Sequence, residues 1–341
     1  MTALQKVFDQ NPDFTAEVAE RTAPIYERVK DVFSADEWTY IAPYVDEIER
    51  LKKERNAIIL AHNYQTPDIF HCVSDIVGDS LALAKKATEV EADVIVMCGV
   101  HFMAETTKIL NPSKTVLIPD AEAGCSLAES ITAADIEKMR ALYPGVPVVT
   151  YVNTTAEVKA VSDVTCTSAN AKQVVESLGV DRVMLFPDEF LAQNVSAETD
   201  VEIITFPGRC EVHEKFSAKQ VVDLRKSYPG VTVLAHPECP PEVLQKADFS
   251  GSTSGMANYV RDQKPAQVAL ITECSMSDNL VSKNPETNFI RSCSLCPHMQ
   301  RITLPKIIEA LRNMTVEVTV DEEIAGKARQ AVENMLAVGR G

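Results

Sequence analysis

Nine cysteines occur in the 341-residue chain, and three of them, Cys125, Cys210 and Cys296, stand 85 and 86 residues apart. Equal spacing puts each at the same point of a repeat with that period. If three such repeats face one another, three thiolates meet. Iron–sulfur clusters are held by thiolates. A cubane has a three-fold axis through each iron, so three ligands would leave its fourth iron open. An open iron can act as a Lewis acid on a hydroxyl or carboxylate oxygen. Two other readings use the same residues. A structural zinc site wants four ligands, usually as close pairs, and here the close pair is Cys293-x-x-Cys296. That pair alone could be a redox dithiol. Cys72, Cys98, Cys166, Cys239 and Cys274 do not recur at the period and read as buried or incidental.

Polar residues recur with the cysteines. Three β-branched or apolar runs end in pairs at i and i+2, which face the same way on a strand. The pairs are His62/Tyr64, Tyr151/Asn153 and His236/Glu238. Ligands of parallel sheets bind at the carboxyl ends of strands. Each run is followed by a small polar turn, at Ser80, at Ser168 and at Ser252-Thr253-Ser254. Such residues cap helices, and helix N-termini favour anions.

The elements that must carry these residues repeat as well. Ala134–Asn153 reads ADIEKMRALYPGVPVVTYVN, and Lys219–Glu238 reads KQVVDLRKSYPGVTVLAHPE. Each has apolar residues at helical spacing, a Tyr-Pro-Gly break and a strand-like run. Val45–Tyr64 keeps the same order without the Pro-Gly. Strand–helix alternation predicts an α/β fold with parallel sheets and helices on both faces. The expected division is a helical extension over 1–40 and three units over 41–126, 127–211 and 212–297. A tail over 298–341, with a helix from Leu304, a short strand VEVTV and a helix capped by Asp321, is expected to pack back on the first unit.

Composition narrows the function classes. A formal net charge of −16 argues against nucleic acid and against an anionic membrane surface. The apolar runs fall well short of the roughly 20 residues that span a bilayer. The N-terminus has no basic start followed by an apolar stretch, so no signal peptide is expected. A cytoplasmic, reducing setting follows, where cysteines are ligands, catalysts or buried apolar groups.

Several stretches together resemble the quinolinate synthase family, iron–sulfur enzymes of de novo NAD biosynthesis: LAHNYQ at 60–65, VGDSLALA at 77–84, PDAEAGCSLA at 119–128, YVNTTAEVKA at 151–160, GRCEVHEKF at 208–216, AHPECP at 235–240, GSTSGM at 251–256 and CSLCPHM at 293–299. The resemblance implies three similar Rossmann-like α/β/α units around a pseudo-three-fold axis, with the active site at their shared interface. It implies one 4Fe–4S cluster per chain on Cys125, Cys210 and Cys296. The implied reaction is a transferase condensation of iminoaspartate with dihydroxyacetone phosphate, losing phosphate and water to give quinolinate. Functional coupling to an aspartate oxidase, which would supply iminoaspartate, is implied by the pathway. His62, Ser80, Tyr151, Asn153, Ser168, His236 and Thr253 match substrate-binding positions. Tyr64 matches an active-site tyrosine, Glu238 a general base that also touches substrate, and His213 an acid–base residue.

Beside anionic substrates, Glu238 is expected to have a raised pKa suited to proton shuttling. The chain departs from the family where a further cysteine often precedes the Cys293–Cys296 pair; Phe289-Ile290 stand there. A disulfide between two cysteines that are not cluster ligands is therefore not expected. The rival readings are an iron–sulfur hydro-lyase acting on another hydroxy acid and a non-catalytic iron–sulfur redox sensor.

Overall fold

The computed structural model describes residues 12–338. It opens with two helices, α1 (Ala16–Val29) and α2 (Ala35–Arg55). Ser34 and Glu37 start α2 as a reciprocal capping box, each side chain taking the other's backbone N–H. Asn56 ends it in the left-handed region, at φ 47°, a conformation Asn tolerates better than most residues. One face of α2 buries Trp38, Val45, Ile48 and Leu51. Trp38 stacks on Tyr26 of α1 with ring centroids 5.3 Å apart. Because α2 is continuous from residue 35 to 55, it runs through the boundary expected at 40. Residues 1–11 of the expected extension lie outside the described residues.

Three four-stranded sheets follow. The first holds β1 (Ala57–His62), β2 (Ile76–Gly78), β3 (Val94–Cys98) and β4 (Thr115–Leu117). The second holds β5 (Val148–Tyr151), β6 (Val164–Cys166), β7 (Arg182–Phe186) and β8 (Glu202–Ile204). The third holds β9 (Thr232–Ala235), β10 (Phe249–Ser250), β11 (Gln267–Ile271) and β12 (Asn288–Phe289). In each, the spatial order is second, first, third, fourth strand. Every pairing within the sheets is parallel. Strands buried on both faces need unbroken apolar runs, and Val94–Cys98 is buried throughout.

Helices connect the strands: α3 (Ser80–Ala87) and α4 (His101–Leu110) in the first set; α5 (Ala133–Leu142), α6 (Ala171–Ser177) and α7 (Glu189–Ser196) in the second; α8 (Ala218–Ser227), α9 (Thr253–Gln263) and α10 (Cys274–Val281) in the third. The repeated Tyr-Pro-Gly breaks turn through Gly145 and Gly230, at φ 78° and 83°. There a side chain would be strained, and glycine is not.

The tail carries α11 (Leu304–Asn313) and α12 (Glu322–Val338). Asp321 caps α12 by accepting from the N–H groups of Glu323 and Ile324. The expected strand VEVTV forms only an isolated antiparallel bridge, between Glu317 and Leu117 of β4. Expected to return to the first unit, the tail divides instead. α11 packs on α2, while α12 packs chiefly on the short helix Ala156–Ala160 and on β6 of the second sheet. The reason is the apolar face of α12, with Ala328, Ala331, Val332 and Met335 buried. Arg329 still reaches the first unit, donating to the carbonyl of Ile109 at 2.8 Å. No described helix is long and apolar enough to cross a membrane.

Leu51→Ala should cost about 2–5 kcal/mol of stability, since it empties a buried site in α2. A denaturant titration followed by the fluorescence of Trp38, the single tryptophan, measures it.

Candidate active site

The central strands β1, β5 and β9 all end at one pocket, of about 730 Å³ including its opening to solvent. His62 and Tyr64 enter it from the end of β1, Tyr151 and Asn153 from β5, and His236 and Glu238 from β9. Ser80, Ser168, Thr253, His213, Cys125, Cys210 and Cys296 line the same space. Every site residue expected from the sequence is thus at this one place.

The polar turns differ in detail. Ser80 and Thr253 are the first residues of α3 and α9, behind the N-caps Asp79 and Ser252. Ser168 stands ahead of α6, whose N-cap is Asn170. The turn there is closed by Asn170 Oδ1, which accepts from the backbone of Thr167 at 2.8 Å.

Hydrogen bonds join residues from different sheets. The Tyr151 hydroxyl donates to Glu238 Oε1 at 2.5 Å. His213 Nδ1 lies 2.7 Å from Glu238 Oε2 and 3.2 Å from Cys210 Sγ. On its other side, His213 Nε2 is 2.9 Å from Thr272 Oγ1, which shares a 2.5 Å hydrogen bond with the Tyr64 hydroxyl. His213 also stacks on His236, with centroids 4.6 Å apart. Asn63 donates to Thr253 Oγ1 at 2.8 Å. His62 Nδ1 accepts the backbone N–H of Tyr64, and His236 Nδ1 that of Glu238. Each imidazole therefore keeps its proton on Nε2.

Burial sets the charge states. It pushes His62 down to about 4 and His236 down to about 3, so both are neutral at ordinary pH. Burial raises Tyr64 and Tyr151 well above the usual phenol range. Burial also acts to raise Glu238, but His236, His213 and the Tyr151 hydroxyl outweigh it and hold the carboxyl below its ordinary value. This corrects the expected raised pKa: the Tyr151 hydroxyl and His213 Nδ1 face the two carboxylate oxygens and favour the charged form.

The three periodic cysteines are half-buried, whereas Cys72, Cys98, Cys166 and Cys239 are sealed in the interior. Each of the three starts a tight turn whose N–H groups two and three residues on point at its sulfur. They are Leu127 and Ala128 at Cys125, Val212 and His213 at Cys210, and His298 and Met299 at Cys296. Burial nevertheless lifts the thiols, to about 12 for Cys125, to about 11 for Cys296 and well above the usual value for Cys210. A bound cation would let them ionise. Three half-buried cysteines at one pocket, each with two N–H groups aimed at its sulfur, fit a thiolate-bound metal centre. Cys210, His213 and Glu238 also place three potential donor atoms within 4.8 Å of one another.

Two features escaped the sequence reading. Thr272, at the end of β11, bridges Tyr64 and His213, and nothing in its local sequence singles it out. Cys274, read as incidental, forms a disulfide with Cys293, with Cα atoms 4.9 Å apart. A disulfide thus joins two cysteines outside the periodic trio and leaves Cys296 free. The adjoining Glu273 accepts from the N–H of Cys296 at 3.4 Å and from that of Ser275 at 2.7 Å. Burial pushes its carboxyl up to about 7.

Neutral imidazoles, an ionised carboxylate and half-buried cysteines around one pocket define an enzyme site for small molecules. The family described as "Quinolinate synthetase A protein" matches residues 46–337. A quinolinate synthase of Sinorhizobium fredii is 60% identical over 329 residues, 96% of this chain and 92% of that protein. One of Agrobacterium fabrum is 64% identical over 316 residues, 93% of this chain and 92% of that protein. One of Xylella fastidiosa is 64% identical over 294 residues, 86% of this chain and 87% of that protein. The chain belongs to the quinolinate synthase family.

In a peptide map of the unreduced protein, Cys274 and Cys293 should appear cross-linked, with Cys296 alkylated after the metal is stripped. A Cys293–Cys296 linkage would contradict the structure.

Proposed function

We infer that the chain condenses iminoaspartate with dihydroxyacetone phosphate to quinolinate, with release of phosphate and water, as a transferase of NAD biosynthesis. The observation that carries this reading is the meeting of three half-buried cysteines with three polar strand ends at one pocket. The three sheets, alike in strand order, are read as Rossmann-like units around a pseudo-three-fold axis, divided at about 126, 211 and 297 as the repeat suggests. Cys125, Cys210 and Cys296 would hold a 4Fe–4S cluster, one per chain. That cluster would supply an open, Lewis-acidic iron.

The remaining chemistry belongs to the side chains. Ser80 and Thr253, each at the first position of a helix, offer hydroxyls and the helix N-terminus to a phosphate or carboxylate. Ser168 and Asn153 add donors from the second sheet. His62 and His236 are neutral and present Nε2–H, so they bind anions without adding charge. Tyr151 orients Glu238. As an ionised base, Glu238 takes a proton from carbon in the tautomerisation steps and returns it to a departing hydroxyl, which leaves as water. Tyr64 and His213, joined through Thr272, stand beside it as proton donors. The site is assigned to a cytoplasmic enzyme, fed with iminoaspartate by an aspartate oxidase.

Anaerobically purified protein should carry about four irons and four sulfides per chain and convert the two substrates to quinolinate and phosphate. A hydro-lyase would instead dehydrate a hydroxy acid alone, and bound zinc would overturn the cluster. Alanine at Cys125, Cys210 or Cys296 should abolish both iron and activity. Glu238→Gln should keep the iron and lower turnover about 100-fold or more; an unchanged rate removes its role.

A further inference from the structure

Asn194 and Asn279 occupy the same place in their helices, six residues beyond the N-caps Asp188 of α7 and Glu273 of α10. Both are at least nine-tenths buried. Each spends both N–H groups of its amide on a loop belonging to another sheet. Asn194 donates to the carbonyls of Pro237 and Cys239, at 2.8 and 3.0 Å. Those carbonyls flank Glu238. Asn279 donates to the carbonyls of Asn63 and Gln65, at 3.1 and 2.8 Å. Those flank Tyr64. Carbonyls at strand ends have left the sheet ladder and need a donor. A single amide satisfies two of them and fixes the residue between. Asn279 Oδ1 has no partner among the described residues, so the two donor bonds alone orient that side chain.

The third junction solves the same problem with charge. The carbonyl of Thr154, next to Asn153, accepts from the ammonium of Lys159, which is fully buried. Glu105 of α4, from the first sheet, faces that ammonium and accepts the N–H of Ala156 at 3.1 Å. The three junctions form a ring. The first sheet's helix braces the second loop, the second sheet's helix the third loop, and the third sheet's helix the first loop.

The geometry points to Asn194 and Asn279 as positioning residues, which set the orientation of Glu238 and Tyr64 from across a sheet-to-sheet junction. This rests on the roles assigned above to Glu238 and Tyr64. Chemistry at Glu238 is therefore correct only when the second and third sheets are docked, and at Tyr64 only when the third and first are.

Hydrogen exchange on the substrate-free holoenzyme tests the clamp. Asn194→Ala should speed exchange in residues 236–240 about tenfold or more and leave residues 61–66 unchanged; Asn279→Ala should do the reverse. Iron content and melting temperature should stay near wild type. Turnover of Asn194→Ala should fall, by up to about 100-fold, with KM little altered. Added to Glu238→Gln, it should cause no further loss. Exchange that rises equally in both segments, or in neither, overturns the proposal. So does a double variant that loses the product of the two single losses. If the alanine variants do not fold, Asn194→Ser and Asn279→Ser, each keeping one donor, should give the same pattern at smaller amplitude. Exchange needs no substrate. Segment-specific loosening in a chain that makes no quinolinate upholds the clamp and refutes the proposed reaction instead.

Discussion

A buried carboxylate has to be paid for with donors, and the fold gives Glu238 none on its own strand. Burying a charge without partners costs several kcal/mol. Tyr151 reaches it from the second sheet and His213 from the segment between the second and third. The carboxylate is stable only where these elements meet. The site is thus a property of the docked sheets, and this carboxylate is also one of the groups that hold the junction in one arrangement.

The same logic covers the positions proposed to bind anions. His62 and His236 are kept neutral by burial, and Ser80 and Thr253 offer helix N-termini. None of these adds a full positive charge to the cavity. On the proposed reading, small anions would be met by dipoles and N–H groups, so that a chain of net charge −16 needs no basic patch to bind them.

The sequence was most legible where the chain repeats. Cys125, Cys210 and Cys296, and the pairs ending β1, β5 and β9, could be found because one architecture placed each three times. What broke the period was hidden. Cys274 has no counterpart at the repeat spacing, so its bond to Cys293 left no trace. Thr272 acts through two partners, one about 200 residues away along the chain. The charge state of Glu238 depends on which neighbours donate to it, and spacing does not encode that. The apolar face of α12 was readable as a face, but amphipathicity names no partner, and its docking on the second sheet was missed.

That docking bears on how the chain is made. Ala156 of the second sheet's short helix is buried in one cluster with Ile109 and Ala328, and β6 lies against α12. These elements leave the ribosome some 160 residues before their cover does. Domains tend to fold in the order they are synthesised. Here the middle of the polypeptide waits with an apolar face open until α12 has been made.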